Sequence, residues 1–124
     1  MSLANRIRAY YQTLRDGGDL AGYFGAEPRP VKFGISETLE GYDAIERGLS
    51  AQTHTTEDWE VTSHRLATGT QGDVGWFSDH VTLRWHDRET DRHHEWDTRW
   101  SGTLIRNGGQ WQFVRMHVSA SNTL

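Results

Sequence analysis

The spacing of hydrophobic residues predicts helices in the first part of the chain. Near the start, apolar residues recur at helical spacing and share one face: Leu3, Ile7, Tyr10, Tyr11 and Leu14. Gly17 and Gly18 favour a left-handed stop to this helix. Asp19 suits the N-cap of a short second helix, and a third helix is predicted to begin near residues 41–45.

The pattern changes to period two after Thr56, which predicts strands for the rest of the chain. We expect a short strand at residues 31–35 and longer strands at residues 58–68, 74–86, 93–106 and 110–119. The Asn107-Gly108 pair favours a tight hairpin between the last two strands. Helices followed by an antiparallel meander indicate an α+β fold with the helices on one face of the sheet.

Strict alternation places aromatic residues on both faces of the sheet. In the last strand Trp111 and Phe113 should share a face with His117, opposite Met116 and Val118. A two-layer monomer needs only one apolar face, and large exposed rings would form an unusual apolar patch. The sequence therefore predicts a homodimer that pairs through the outer face of the sheet.

Length and composition limit the classes of protein that the chain can represent. Its 124 residues suit one domain, residues 1–124 with a core at about 3–119. It has no cysteine, no long apolar run and no recognisable signal peptide, and its net charge is −4. We expect a soluble cytoplasmic domain that binds neither nucleic acid nor a membrane.

Three segments, in this order and spacing, carry a resemblance to a known family. They are residues 41–45 (GYDAI), 72–76 (GDVGW) and 109–119 (GQWQFVRMHVS). Together they resemble the SnoaL-like branch of the nuclear transport factor 2-like superfamily. The closing segment is also similar to the association domain of calcium/calmodulin-dependent kinases. The resemblance covers nearly the whole chain, from about residue 3 to residue 119.

This resemblance implies an α+β cone, in which a strongly curved antiparallel sheet wraps around the N-terminal helices. It also implies a pocket at the wide end and a dimer through the sheet. The superfamily includes ketosteroid isomerase, scytalone dehydratase and polyketide cyclases, besides members without demonstrated chemistry. The isomerase's tyrosine donor corresponds to Tyr11, whereas its aspartate base should lie at Gly34 or Ile35. Neither residue can act as a base, and the nearest carboxylate is Glu37.

Two arguments disagree about the polar pair in the middle of the strand at 74–86. By apolar count Asp79 shares a face with Phe77 and Val81, which would make it a buried carboxylate with a raised pKa. The resemblance instead turns His80 towards the pocket, and a bulge could reconcile the two. We therefore take Tyr11, Asp79 and His80 as candidate catalytic groups, although the notable alternative for His80 is a structural histidine that is hydrogen-bonded across the sheet. The expected pocket-lining residues are Trp76, Ser78, Thr82, Trp96, Trp100 and Met116.

The sequence gives less support for a metal site. The hairpin around residues 86–94 is rich in His and Asp, but its charged turn is typical of a solvated loop, so we predict no metal site. No cofactor is expected. Two functions remain open: a pocket for an apolar or aromatic metabolite, with isomerase, dehydratase or cyclase chemistry by acid and base groups, or a non-catalytic dimerisation or accessory module.

Overall fold

The computed structural model describes residues 1–120, which form two α-helices, a 3₁₀ turn and seven strands of an α+β fold. The helices are α1 (Leu3–Asp16) and α2 (Tyr42–Thr55), and the turn at Ala21–Tyr23 lies between them. The strands are β1 (Val31–Phe33), β2 (Thr38–Glu40), β3 (Thr56–Ser63), β4 (Ala67–Gln71), β5 (Val74–Asp87), β6 (Arg92–Asn107) and β7 (Gln110–Ala120). The predicted fold class is therefore confirmed.

Helix α1 has the boundaries that its sequence predicts. The Ser2 hydroxyl accepts the Asn5 backbone N–H at 3.1 Å and caps the first turn. Gly17 adopts a left-handed conformation, with φ of 69°, and its N–H returns to the carbonyl oxygen of Leu14. The predicted apolar face of α1 is buried and is the main layer that covers the sheet.

The seven strands form one curled sheet that surrounds α1. Its order is β2-β1-β7-β6-β5-β3, and β4 pairs with β5 beyond the end of β3. Strand β1 runs parallel to β7, whereas the other pairs are antiparallel. Within residues 1–120, no helix has both the length and the apolar character needed to cross a membrane.

Three strand predictions differ from the structure. The segment predicted as one strand at 58–68 forms β3 and β4, separated by a break at residues 64–66. Strand β2 was not predicted, and β1 ends before Ile35. The hydrophobic residues at 31, 33 and 35 would predict that these side chains face inward and that Lys32 faces outward. The structure has the reverse: Lys32 is buried, whereas the hydrophobic Phe33 and Ile35 are exposed. Lys32 faces inward because it pairs with the buried Met116 of β7.

A bulge in β7 corrects the predicted faces of its aromatic residues. Thr103 pairs with Arg115 but Leu104 pairs with Phe113, so Val114 is an extra residue on β7. An extra residue reverses the alternation of side chains. Trp111 and Phe113 are therefore buried in the core, whereas His117 is exposed, and the prediction that all three share a face was wrong.

Candidate functional site

A cavity of about 390 Å³ lies between the inner face of the sheet and the two helices. Both helices, the longer strands and the loop that joins β1 to β2 contribute to its lining. The lining residues are Tyr10, Leu14, Lys32, Gly34, Ile35, Ser36, Glu37, Leu49, Gln52, Trp59, Leu83, Trp85, His94, Trp96, Trp100 and Val118. This volume is within the range of small-molecule sites in proteins.

Aromatic side chains form most of one side of the cavity. The rings of Trp59 and Trp85 stack with centroids 4.7 Å apart, and the ring of His94 stacks on that of Trp85 at 5.0 Å. Trp96 and Trp100, both predicted to line the pocket, do contribute to it. Trp96 is 37% exposed and marks the opening, whereas Trp100 is buried. Such walls suit a flat apolar or aromatic molecule.

A second bulge lies beside Trp59, which lines the cavity. The β3–β5 register shifts between Glu57 and Glu60, and Asp58 has a left-handed backbone with φ of 56°. Aspartate tolerates this conformation better than most residues do. The bulge leaves Glu57 opposite His86 on the outer face, while Trp59 packs on the inner face. A bulge of this kind has no simple signal in the hydrophobic pattern.

The cavity also holds one ion pair that the sequence analysis did not single out. The Lys32 ammonium lies 2.5 Å from Oε1 of Glu37. Lys32 is only 5% exposed, whereas about a third of the Glu37 side chain reaches solvent. Both residues line the cavity, and their charged ends are in contact. The pair brings a cation and an anion to a site whose lining includes several aromatic rings.

Tyr10 lines the same cavity and carries a hydroxyl group. Burial, together with the negative charge of Glu37, raises the pKa of this hydroxyl, so it remains a protonated donor at neutral pH. The neighbouring hydroxyls of Tyr11 and Tyr23 are held by hydrogen bonds. Within residues 1–120, no hydrogen bond holds the hydroxyl of Tyr10. The polar lining of the cavity thus includes Tyr10, Lys32 and Glu37, beside Ser36 and Gln52.

Comparison with known proteins agrees with this architecture. The family model described as "SnoaL-like domain" matches residues 3–123. This chain belongs to the SnoaL-like domain family. No curated protein sequence matches it significantly.

Solved structures share the fold of this SnoaL-like domain at low sequence identity. A Streptomyces avermitilis protein, provisionally assigned as a dehydratase of the NTF2-like family, has a TM-score of 0.86 and 11% identity over 98% of this chain and 94% of its own. A ketosteroid isomerase-like protein from Erwinia carotovora atroseptica has a TM-score of 0.81 and 13% identity over 98% and 95%. A provisionally assigned calcium/calmodulin-dependent protein kinase II association domain from Xanthomonas campestris has a TM-score of 0.82 and 13% identity over 98% and 87%.

Two of the predicted catalytic residues of the SnoaL-like domain meet each other outside the cavity. The Tyr11 hydroxyl donates to Oδ2 of Asp79 at 2.9 Å, and Ser63 donates to the same oxygen at 2.6 Å. The Arg65 backbone N–H donates to Oδ1 at 2.9 Å. Burial raises the pKa of Tyr11, and the Asp79 carboxylate raises it further. Neither residue lines the cavity, and this network satisfies a carboxylate that is only 1% exposed.

His80 lies on the outer face of β5, away from the cavity. Trp76, Ser78 and Thr82 share that face because β5 alternates regularly and Asp79 occupies an inner position. Their predicted place in the pocket was therefore wrong, and the argument from apolar count was the correct one. Met116 does face inward, but it is buried in the core and does not reach the cavity.

The histidines near the β5–β6 turn divide between the two faces. His94 faces the cavity, whereas the ring of His86 stacks on that of His93, with centroids 4.6 Å apart. His86 bonds to Asp91 at 2.7 Å and to Glu57 at 3.4 Å. The bond to Asp91, helped by Glu57, raises the pKa of His86.

Metal-ligating side chains also come together on this outer side of the SnoaL-like domain. The ligand atoms of Glu57, Asp58 and His86 lie within 4.8 Å of one another. Arg88 approaches Glu57 at 3.4 Å and supplies a positive charge to the group. Ion pairing explains the cluster, and the absence of a metal site stays a prediction.

Two adjacent tyrosines allow a matched test of these assignments. Tyr11→Phe removes one of the three hydrogen bonds of a buried carboxylate, so we expect the free energy of unfolding to fall by about 1–3 kcal/mol. Tyr10→Phe loses no hydrogen bond to another residue of the described part of the chain, residues 1–120, and we expect a change of about 0.5 kcal/mol or less. Urea denaturation measures both values. Equal losses in the two variants would contradict the structural role of the Tyr11–Asp79 bond.

Proposed function

We propose that this SnoaL-like domain binds an apolar or aromatic small molecule in the cavity. The observation that carries the proposal is a cavity with several aromatic residues in its walls and a partly buried ion pair, Lys32–Glu37. Stacking on Trp96 and Trp100 supplies binding energy through apolar contact. The ion pair and the Tyr10 hydroxyl supply the few polar contacts that orient such a ligand.

We further propose that the polar groups perform acid and base chemistry on the ligand. Glu37 can accept a proton from carbon beside a carbonyl group, while Lys32 and Tyr10 donate hydrogen bonds to the oxygen that becomes negative. The same arrangement serves isomerisation, dehydration or cyclisation without a cofactor. Neighbours described as a dehydratase and as ketosteroid isomerase-like support this class of reaction, although they share only the fold with this chain.

Ligand binding can be tested with two exposed tryptophans as a matched pair. A screen of cyclic ketones, aromatic acids and polyketide-like compounds by thermal shift should identify a stabilising ligand. At one hundred times its Kd, such a ligand stabilises the fold by about 2.7 kcal/mol. Trp96→Ala should raise the Kd of this ligand at least about tenfold and so reduce the ligand-dependent shift, because the Trp96 ring lines the cavity.

Trp76→Ala provides the control, because Trp76 is similarly exposed, at 47%, but lies on the outer face, where the change can alter the pairing of two copies but not the walls of the cavity. Its ligand-dependent shift should equal that of the unaltered protein. If no compound stabilises the protein, the alternative of a non-catalytic dimerisation or accessory module gains support. The neighbour described as a kinase association domain would then be the better guide to function.

Proton transfer at the cavity can be tested by hydrogen exchange. With 2-tetralone in D₂O, the protein should accelerate exchange of the protons beside the carbonyl, as followed by NMR. Glu37→Gln should slow the catalysed exchange by about 100-fold or more, since general base catalysis contributes on that order. Glu40→Gln changes a nearby exposed glutamate that does not line the cavity, and should leave the rate unchanged. Exchange that is insensitive to Glu37→Gln would exclude this base.

We also propose that two copies pair through the outer face of the sheet. After the bulge has turned Trp111 and Phe113 inward, the exposed apolar residues of this face include Phe33 and Trp76. Sedimentation should report about twice the chain mass of 14.2 kDa. Trp76→Glu should shift the equilibrium towards monomer, and a monomer at high concentration of the unaltered protein would refute the pairing.

A further inference from the structure

Lys32 is the only lysine among the thirteen basic residues of the chain, and the other twelve are arginines. An arginine side chain stays protonated in proteins, whereas a lysine can lose its proton and act as a nucleophile. The outer surface thus carries its positive side-chain charge on guanidinium groups. The one primary amine on a side chain lies instead at the cavity.

The surroundings of the Lys32 amine leave it accessible to a ligand. Its Nζ has one hydrogen-bond partner among residues 1–120, Oε1 of Glu37, although an ammonium can donate three bonds. The neighbouring cavity volume is large enough for a ring system. A ligand in that volume would therefore lie within reach of Nζ.

Glu37 is held where it can exchange a proton with this amine. The Gly34 backbone N–H donates to the Glu37 carbonyl oxygen at 3.0 Å and closes the turn between β1 and β2. A Cβ atom at Gly34 would lie 2.6 Å from Cγ and 2.7 Å from Oε1 of Glu37. The absence of a side chain at Gly34 thus allows the Glu37 carboxylate to approach Lys32.

From this arrangement we propose that Lys32 condenses with an aldehyde or ketone group of an aromatic ligand to form a Schiff base. The Lys32 ammonium gives a proton to Glu37, and the free amine attacks the carbonyl carbon. A proton then moves from nitrogen to oxygen, which gives a carbinolamine. Glu37 returns its proton to the hydroxyl group, the carbon–oxygen bond breaks, and water leaves the iminium ion.

This inference rests on the proposed function only in that the cavity must admit the ligand. It adds a covalent bond and names the substrate class as aromatic carbonyl compounds. Acid and base chemistry without a Schiff base needs only a cation at position 32, which arginine also supplies. The substitution Lys32→Arg therefore separates the two mechanisms.

The test is reductive trapping of the whole protein with 2-naphthaldehyde and sodium cyanoborohydride, followed by mass spectrometry. We expect one reduced adduct, assigned to Lys32 by fragmentation, forming at least about tenfold faster than the adduct on the N-terminal amine. Lys32→Arg should lose it, and Glu37→Gln should slow it by about 100-fold. An excess of 2-naphthol, which has the same rings but no carbonyl group, should block labelling at Lys32 and needs no variant.

Two outcomes would overturn the Schiff base. One is stabilisation of the protein by 2-naphthol, with loss of that effect in Trp96→Ala, but no adduct at Lys32; the proposed pocket would then stand without the covalent step. The other is labelling of Lys32 that 2-naphthol does not block and that is no faster than at the N-terminus. Failure of both 2-naphthol and 2-naphthaldehyde to bind would instead refute the proposed pocket, and with it the Schiff base.

Discussion

Edge-to-face packing around Tyr10 links the core of this protein to its cavity. The Tyr10 ring meets the rings of Tyr23, Phe24, Trp100 and Phe113, with centroids 5.3–6.3 Å apart. These contacts join α1 to the inner face of the curled sheet, and each such pair adds about 0.5–1.5 kcal/mol beyond its buried area. The same residue lines the cavity. Forces that fix the helix on the sheet therefore also fix part of the wall of the candidate site.

Much of the architecture could be predicted because the period of the hydrophobic pattern survives in the longest elements. The apolar face of α1 and the alternation in β5 follow their local sequence closely. The same local rule placed Asp79 on the inner face, where the structure has it. Distant resemblance gave the correct fold but the wrong face for His80. At identities of 11–13%, a shared fold does not carry the details of a site.

The candidate site was less predictable because the sheet around it contains two bulges, and because the alternation of buried and exposed side chains in β1 is reversed. One extra residue at Val114 moves Trp111 and Phe113 into the core, and the left-handed Asp58 separates the face of Trp59 from that of Glu57. Strand β1 is only three residues long, so its neighbours decide which side chain faces inward. Neighbour pairing across a sheet is a property of the folded chain, and periodicity within one strand does not contain it.

Stability gives little reason for the Lys32–Glu37 pair, whose place at the cavity agrees with the proposed function. Removing a charge from water costs several kcal/mol, and replacement of buried ion pairs by hydrophobic residues is often neutral or stabilising. A wall that already contains several aromatic rings could accommodate an apolar side chain at position 32 without an obvious penalty to the core. Lys32 is nevertheless buried there, and its partner Glu37 lies against a glycine that leaves room for the carboxylate. Departures from the best local packing are concentrated at functional sites, and this one lies at the cavity.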